Sequence, residues 1–162
     1  MLLYLVRHAF AGQHGDPAYP NDELRPLTPK GRKQFRRTVK KLARRGLAPA
    51  VIATSPLLRC RQTAAELAER LDIEDAVVEL DALRPGSHLE ELLEWTRQQT
   101  SDEIAWVGHS PDIDCMAAKL LGASEGAVRF AKGAVAAVEF DGQPTAGSGT
   151  LCWFVTPKSL GA

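Results

Sequence analysis

The chain has 162 residues, which is most simply one domain, 1–162, large enough to bury about 70% of the surface that the unfolded chain exposes. Its composition, 44% hydrophobic and 25% charged, is typical of a soluble globular protein. Twenty Lys and Arg residues balance twenty Asp and Glu residues, and a net charge of zero argues against a general nucleic-acid or membrane-surface binder.

Short apolar runs predict six strands, at 2–7, 50–54, 76–80, 103–108, 134–140 and 150–155. Apolar residues at helical spacing predict four helices, over 29–46, 56–71, 88–99 and 112–121. Because strands and helices alternate, we expect a three-layer α/β/α fold with a mostly parallel central sheet. The segment 141–149, rich in Gly, Pro, Ser and Thr, predicts a turn, so the last two strands should form an antiparallel edge hairpin.

Four helix starts carry capping signals. Thr28-Pro29, Ser55-Pro56 and Ser110-Pro111 each place a capping hydroxyl before a proline, and 87–90 (Ser-His-Leu-Glu) has the sequence of a capping box. The two Ser-Pro pairs follow predicted strands almost directly. The free N–H groups of those helices should therefore point to one rim of the sheet, where they would suit an anion.

Two histidines follow predicted central strands. Arg7-His8 ends the first strand and Gly108-His109 ends the fourth. Open α/β sheets build their sites at the carboxyl ends of strands, so we expect both histidines in one pocket. Neutral imidazole is a nucleophile toward phosphorus, and arginine binds phosphoryl oxygens bidentately. The pattern indicates a phosphate-handling site.

A further arginine is predicted in the first turn of the helix at 56–71. A cation there opposes the helix dipole, and a bound anion would compensate for that cost; this favours Arg59 as an anion ligand. Thr63, one turn later, shares the face of Arg59, whereas Arg61 should be a surface charge.

Taken together, these motifs resemble the histidine phosphatase superfamily, which has the phosphoglycerate mutase-like fold. The matching segments are 5–9 (Leu-Val-Arg-His-Ala), 25–28 (Arg-Pro-Leu-Thr) with Gly31, 55–63 (Ser-Pro-x-x-Arg-x-x-Gln-Thr) and Gly108-His109. The short chain, 25–28 and the tail at 153–160 resemble the SixA-type phosphohistidine phosphatases. Ala9 departs from the glycine that usually follows the first histidine.

The resemblance implies a role for each matching residue. His8 would attack phosphorus and become phosphohistidine, and water would then hydrolyse the phosphoenzyme. Arg7 and Arg59 would clamp the phosphoryl oxygens, His109 would stabilise the transition state, and Arg25 would help to bind the phosphoryl group or the substrate. We expect no metal and no other cofactor, since the arginines and His109 supply the positive charge.

The substrate is less constrained by the sequence. Larger relatives protonate the leaving group with a carboxylate; here Glu79 and Asp81 are candidates, each equally consistent with a solvated strand end. A missing acid and a short insert favour protein phosphohistidine, with its labile P–N bond, carried on a phosphorylated partner protein. The alternatives are a small phosphomonoester, such as a sugar phosphate or nucleotide, and a non-catalytic phospho-binding module.

The remaining features favour ordinary roles. The basic run over 29–46 predicts a solvated helix face, with docking of an acidic partner as the alternative. His14 and His88 lack metal-ligand spacing and should lie at the surface. Three widely spaced cysteines and the lack of a signal-like or membrane-spanning segment predict a cytoplasmic protein that binds neither nucleic acid nor membrane.

Overall fold

A computed structural model describes all residues, 1–162. Its six strands are β1 (Leu2–Arg7), β2 (Val51–Thr54), β3 (Val77–Glu79), β4 (Glu103–Gly108), β5 (Val135–Glu139) and β6 (Thr150–Val155). Its four α-helices are α1 (Pro29–Ala43), α2 (Leu58–Leu71), α3 (Leu89–Arg97) and α4 (Asp112–Leu120). All ten elements lie within a few residues of the positions that hydrophobic periodicity predicts, and no helix is both long and apolar enough to cross a membrane.

One sheet contains every strand, in the order β3-β2-β4-β1-β5-β6. The strands β1 to β4 are parallel to one another, whereas β5 is antiparallel to β1 and β6 is antiparallel to β5. The α/β class, the mostly parallel sheet and the C-terminal edge hairpin are therefore confirmed. Since β1 and β4 are neighbours in the middle of the sheet, their carboxyl ends lie side by side.

The sheet is covered on both faces because side chains alternate along its central strands. Tyr4 and Val6 pack in a core with α1 and α2, whereas Leu3 and Leu5 pack with α3 and α4. The indole of Trp106 is fully buried in the second core and donates to Thr96 Oγ1 at 3.0 Å. The two cores fix β1 and β4 rigidly, and the candidate site lies at their carboxyl ends.

Only one of the four predicted caps is present. Thr28 caps α1, where its hydroxyl oxygen accepts from the backbone N–H of Gly31 at 2.9 Å. The other three predictions were wrong. The residues at the cap positions of α2, α3 and α4 are Leu57, His88 and Pro111, and none of their side chains makes a capping hydrogen bond. The hydroxyls of Ser55, Ser87 and Ser110 have other partners, and those of Ser55 and Ser110 lie beside the candidate site.

Candidate active site

His8 and His109 meet at the carboxyl ends of β1 and β4. Arg7 pairs in register with Gly108, so the two histidines follow neighbouring strands at the same level. The backbone N–H of His8 donates to Gly108 O at 3.0 Å, and the two imidazole centroids are 5.6 Å apart. Both side chains are buried. The structure therefore brings together the two histidines that the sequence places at strand ends.

The tautomer of His8 is set by its own backbone. Nδ1 of His8 lies 2.8 Å from the carbonyl oxygen of Ala9, and a carbonyl only accepts, so this contact needs the proton on Nδ1. The lone pair of the neutral ring then resides on Nε2. Burial, together with the charges of Arg59, His109 and Arg7, lowers the pKa of His8 to about 3, although the hydrogen bond to Ala9 O raises it. His8 is therefore a neutral imidazole with a free Nε2 at neutral pH.

A hydroxyl on α2 holds the chain directly after His8. Thr63 Oγ1 accepts from the backbone N–H of Ala9 at 3.0 Å and donates to the carbonyl oxygen of Arg59 at 2.7 Å. Thr63 is fully buried on the same helix face as Arg59. This bridge fixes the distance between the exit of β1 and the first turn of α2, and so between His8 and Arg59.

The guanidinium groups of Arg7 and Arg59 enter the pocket from two elements. A terminal nitrogen of Arg7 donates to Phe130 O at 2.6 Å, and Asp114 accepts from the Phe130 N–H at 3.0 Å. A terminal nitrogen of Arg59 donates to the backbone oxygen of Asp22 at 2.9 Å. The Nε atoms of both arginines are buried and have no hydrogen-bond partner in the protein. Two buried cationic donors are thus free to bind an anion.

Arg25 lies in the same cluster. Its side chain is buried, and a terminal nitrogen donates to Gly12 O at 2.6 Å. Nε of Arg25 donates to a carboxylate oxygen of Asp22 at 2.8 Å. Arg25 therefore reaches the site from the segment between β1 and α1, and Asp22 connects it to Arg59.

Asp22 is a site residue that the sequence reasoning missed. Its carboxylate contacts Arg25, Arg59 (3.1 Å) and His14 Nδ1 (2.9 Å). The hydrogen bond from Arg25, helped by His14 and the charge of Arg59, holds the pKa of Asp22 well below its usual range. Asp22 is therefore an ionised acceptor. The spacing of Asp22 and Arg25 could have predicted their contact, because residues three apart share one side of a helical turn.

Ser55 and Cys60 surround the ring of His109. Nε2 of His109 lies 2.8 Å from Ser55 Oγ and 3.5 Å from Cys60 Sγ. Burial, and after it the charge of Arg59, lowers the pKa of His109 to about 4. The sequence predicts that His109 donates to phosphoryl oxygens when it is protonated, and its lowered pKa means that protonation at neutral pH requires a nearby negative charge. A phosphoryl dianion beside the ring would raise its pKa again.

The two candidate acids lie elsewhere. Glu79 ends the edge strand β3 and pairs with Arg61 at 2.8 Å; Asp81 is exposed and accepts from Arg84 Nε at 2.7 Å. Neither carboxylate has a hydrogen bond to His8, whose ring contacts Ala9 O. These contacts give no support to a general-acid role for Glu79 or Asp81, which stays a prediction. Arg61 is a surface charge, as predicted.

The remaining histidines have surface positions. The His14 side chain is 82% exposed and bonds Asp22 at the outer side of the cluster. His88 is also exposed and lies 3.7 Å from Glu91. No group of three or more His, Cys, Asp and Glu side chains has the arrangement of a metal site.

Open space adjoins the cluster on one side. A surface cavity of about 580 Å³ is lined by Arg7, Ser110, Asp114, Glu125 and Arg129, among others. On another side, Phe10 is half exposed and the Lys132 ammonium lies 4.3 Å from its ring centroid. Phe10 and Lys132 thus form the rim of the site next to α1.

Comparison with known proteins places this chain in a family. Residues 3–86 match the model of the histidine phosphatase superfamily (branch 1). An uncharacterized protein of Picosynechococcus sp. is 34% identical over 116 residues, which cover 70% of this chain and 68% of that protein. The chain therefore belongs to the histidine phosphatase superfamily and is a phosphatase.

Two further matches, one of sequence and one of structure, are to SixA-type phosphatases. The phosphohistidine phosphatase SixA of Escherichia coli (strain K12) is 28% identical over 156 residues, covering 93% of this chain and 94% of that one. The structure of the protein histidine phosphatase SixA complexed with tungstate superposes with a TM-score of 0.85 and 24% identity, over 99% of both chains. The chain is similar to both along its whole length.

Proposed function

We propose that this phosphatase removes the phosphoryl group from phosphohistidine on a protein, through a phosphohistidine intermediate on His8. The observation that carries the proposal is the combination of a neutral His8, with Nε2 free, and two buried Nε donors on Arg7 and Arg59 that lack protein partners. A nucleophile beside unsatisfied cationic donors is what transfer of a phosphoryl group requires.

In the first step, Nε2 of His8 attacks phosphorus. A P–N bond forms to His8 while the P–N bond of the substrate breaks, and the electron pair returns to the departing imidazole nitrogen. Arg7 and Arg59 hold the equatorial oxygens, and Arg25 binds the phosphoryl group or the substrate. His109, held by Ser55, donates to a phosphoryl oxygen as negative charge develops.

In the second step, water attacks phosphorus and the bond to His8 breaks. The proton released by the attacking water goes to the departing phosphate, and His8 is regenerated as a neutral imidazole. In both steps guanidinium groups, without a metal ion, supply the positive charge.

The proposed substrate class rests on the lack of a general acid in contact with His8. An alkoxide leaves poorly without a proton, whereas a phosphohistidine ring protonated on its distal nitrogen leaves as neutral imidazole. The carboxylate between the arginines, that of Asp22, is ionised and bound to them, and that of Asp114 accepts from the Ser110 hydroxyl and the Phe130 N–H. The similarity to the phosphohistidine phosphatase SixA supports the same substrate class.

A second candidate substrate is a small phosphomonoester. The cavity beside Arg7 favours it, because about 580 Å³ accommodates a small metabolite and Arg129 would meet a second anionic group there. Such a substrate would keep the roles of His8, Arg7 and Arg59 unchanged.

The deciding experiment compares a phosphohistidine carrier protein with a panel of phosphomonoesters, in excess EDTA, using the wild type and His8→Ala. Fast, His8-dependent loss of phosphate from the carrier with slow turnover of monoesters supports the proposal. Faster turnover of a monoester moves the assignment to the second candidate. Absence of His8-dependent turnover of any substrate would contradict the mechanism.

A further inference from the structure

Charge is strongly segregated along this neutral chain. No Asp or Glu occurs between Glu23 and Glu66, and this interval holds twelve of the twenty Lys and Arg residues. Most of them lie on α1 or directly after it. The net charge of zero therefore conceals one strongly basic surface.

Four exposed cations of α1 and one after it form a single stripe. They are spaced by three or four residues, so they share one helix face opposite the buried side, and we call them the basic stripe: Lys30, Lys33, Arg37, Lys40 and Arg44. At about 1.5 Å per residue, the stripe is about 20 Å long. None of its members is ion-paired, in contrast to Arg32 and Arg36, which bind the buried carboxylate of Glu66.

The basic stripe borders a groove without acidic residues. The groove, of about 500 Å³, is lined by Pro29, Arg32, Lys33, Arg36, Arg37 and Lys40. Like charges three and four residues apart repel one another, and the nearest acidic side chains, Glu66 and Glu69, adjoin the stripe at Lys40 without forming an ion pair with it. An acidic surface of a partner would remove that repulsion and gain attraction over its whole length.

The stripe begins at the rim of the active site. The backbone N–H of Thr28, the cap of α1, donates to Phe10 O at 2.9 Å. A side chain on Gly31 would collide with the same carbonyl, so α1 contacts the chain two residues after His8. Phe10 and Lys132 lie at this rim. A macromolecule that places a phosphoryl group on His8 would therefore pass the first turn of α1.

We propose that the basic stripe docks an acidic surface of the phosphorylated protein while its phosphohistidine enters the site. This inference rests on the proposed function and adds how the partner is selected. The partner is a protein with several carboxylates within about 20 Å of its phosphohistidine, the length of the stripe. Electrostatic docking of this kind raises the association rate, and the attraction weakens as the salt concentration rises.

The test uses two synthetic peptides with one central phosphohistidine. Each has roughly seven residues on either side, since about 3.3 Å per residue then spans the stripe. One peptide carries Glu at alternating flanking positions, and its twin carries Gln there. For the full-length wild type at low salt, we expect kcat/KM to be about tenfold higher for the acidic peptide, with the preference lost near 1 M salt.

Two charge-reversal variants separate docking from catalysis. Lys33→Glu/Arg37→Glu should abolish the preference for the acidic peptide while leaving turnover of the neutral twin unchanged. Lys119→Glu reverses an exposed cation on α4, across the sheet from α1, and should keep the preference. Circular dichroism of each variant would establish that it is folded.

Three results would overturn the proposal. Equal turnover of both peptides by the wild type would reject docking and leave the proposed function intact. Turnover of 4-nitrophenyl phosphate but of neither peptide would reject the proposed function, and docking with it. Sedimentation with phosphatidylserine vesicles, lost in Lys33→Glu/Arg37→Glu and without any peptide preference, would reassign the stripe to a membrane surface.

Discussion

A carboxylate oxygen of Asp22 lies 3.1 Å from a terminal nitrogen of Arg59, and the backbone oxygen of Asp22 accepts from the same side chain at 2.9 Å. The other carboxylate oxygen binds Arg25. An internal anion therefore holds two of the arginines proposed to bind phosphate. It fixes their positions and also offsets part of their charge.

Replacing Asp22 by Asn should separate these two effects. Removing a negative charge beside the arginines should lower the inhibition constant of inorganic phosphate several-fold. Looser guanidinium groups should at the same time reduce kcat several-fold, since their alignment in the transition state is less well fixed. Steady-state kinetics with phosphate as a competitive inhibitor measures both.

Glu23→Gln is the matched control, because Glu23 is adjacent in sequence but binds Arg84 at 2.8 Å, outside the cluster. It should change neither constant by more than about twofold, as expected for an exposed ion pair. If Asp22→Asn left phosphate inhibition unchanged, Asp22 would have no electrostatic influence on the site.

Arg59 and Arg61 form a second matched pair on α2. Arg59 is buried in the site, whereas Arg61 is half exposed and binds Glu79. Arg59→Ala should lower kcat/KM by about 100-fold, which corresponds to about 3 kcal/mol of transition-state stabilisation. Arg61→Ala should leave kcat/KM within about twofold of the wild type. A loss below about tenfold for Arg59→Ala would remove Arg59 from the phosphoryl site.

Much of the fold can be predicted from the sequence because it depends on local periodicity. Runs such as 2–7 and 103–108 are short and apolar, and both are observed as central strands. Their adjacency in the sheet follows from no local pattern. The prediction that His8 and His109 share a pocket therefore relied on the general rule that parallel strands present their carboxyl ends to one edge.

Parts of the site could not be predicted, since they depend on contacts between distant residues. Asp22 reaches Arg59 across 37 positions, and Ser55 reaches His109 across 54. Ser55-Pro56 has the composition of a helix start, so local reasoning assigned its hydroxyl to capping. In the structure that hydroxyl orients an imidazole, and α2 begins at Leu58.

The contact between Ser55 and His109 leads to a third prediction. Ser55→Ala removes the only hydroxyl within hydrogen-bond distance of the His109 ring, so the imidazole loses its fixed orientation. We expect kcat to fall about tenfold, the value of one hydrogen bond, with KM nearly unchanged. Ser87→Ala is the control, because the Ser87 hydroxyl donates to Arg84 O at 3.0 Å instead of contacting His109. Equal effects of the two substitutions would indicate a general structural role.

The lowered pKa values of His8 and His109 predict a pH dependence of stability. Below pH 6.5 the unfolded chain binds protons on these histidines, whereas the folded protein does not until about pH 3 to 4. The free energy of unfolding should therefore fall as pH drops from 6.5 to 5, by up to about 1.4 kcal/mol per pH unit for each histidine. Above pH 6.5 neither histidine contributes.

Urea unfolding of the wild type and His8→Asn between about pH 5 and about pH 7.5 measures this linkage in the upper part of the window between the folded and unfolded pKa values. Below pH 6.5 the free energy of unfolding of His8→Asn should depend less steeply on pH than that of the wild type, whatever the variant's stability at pH 7.5. Identical slopes would show that His8 titrates normally in the folded protein.

The most direct test of the account is to trap the phosphoenzyme. Wild type mixed with a phosphohistidine peptide is quenched in alkaline denaturant, digested and analysed by mass spectrometry, with His14→Gln as a control for the exposed histidine at the outer side of the cluster. We predict the mass of one phosphoryl group on His8 in both proteins and none in His8→Ala. Turnover with phosphate on another residue, or turnover by His8→Ala, would contradict the mechanism.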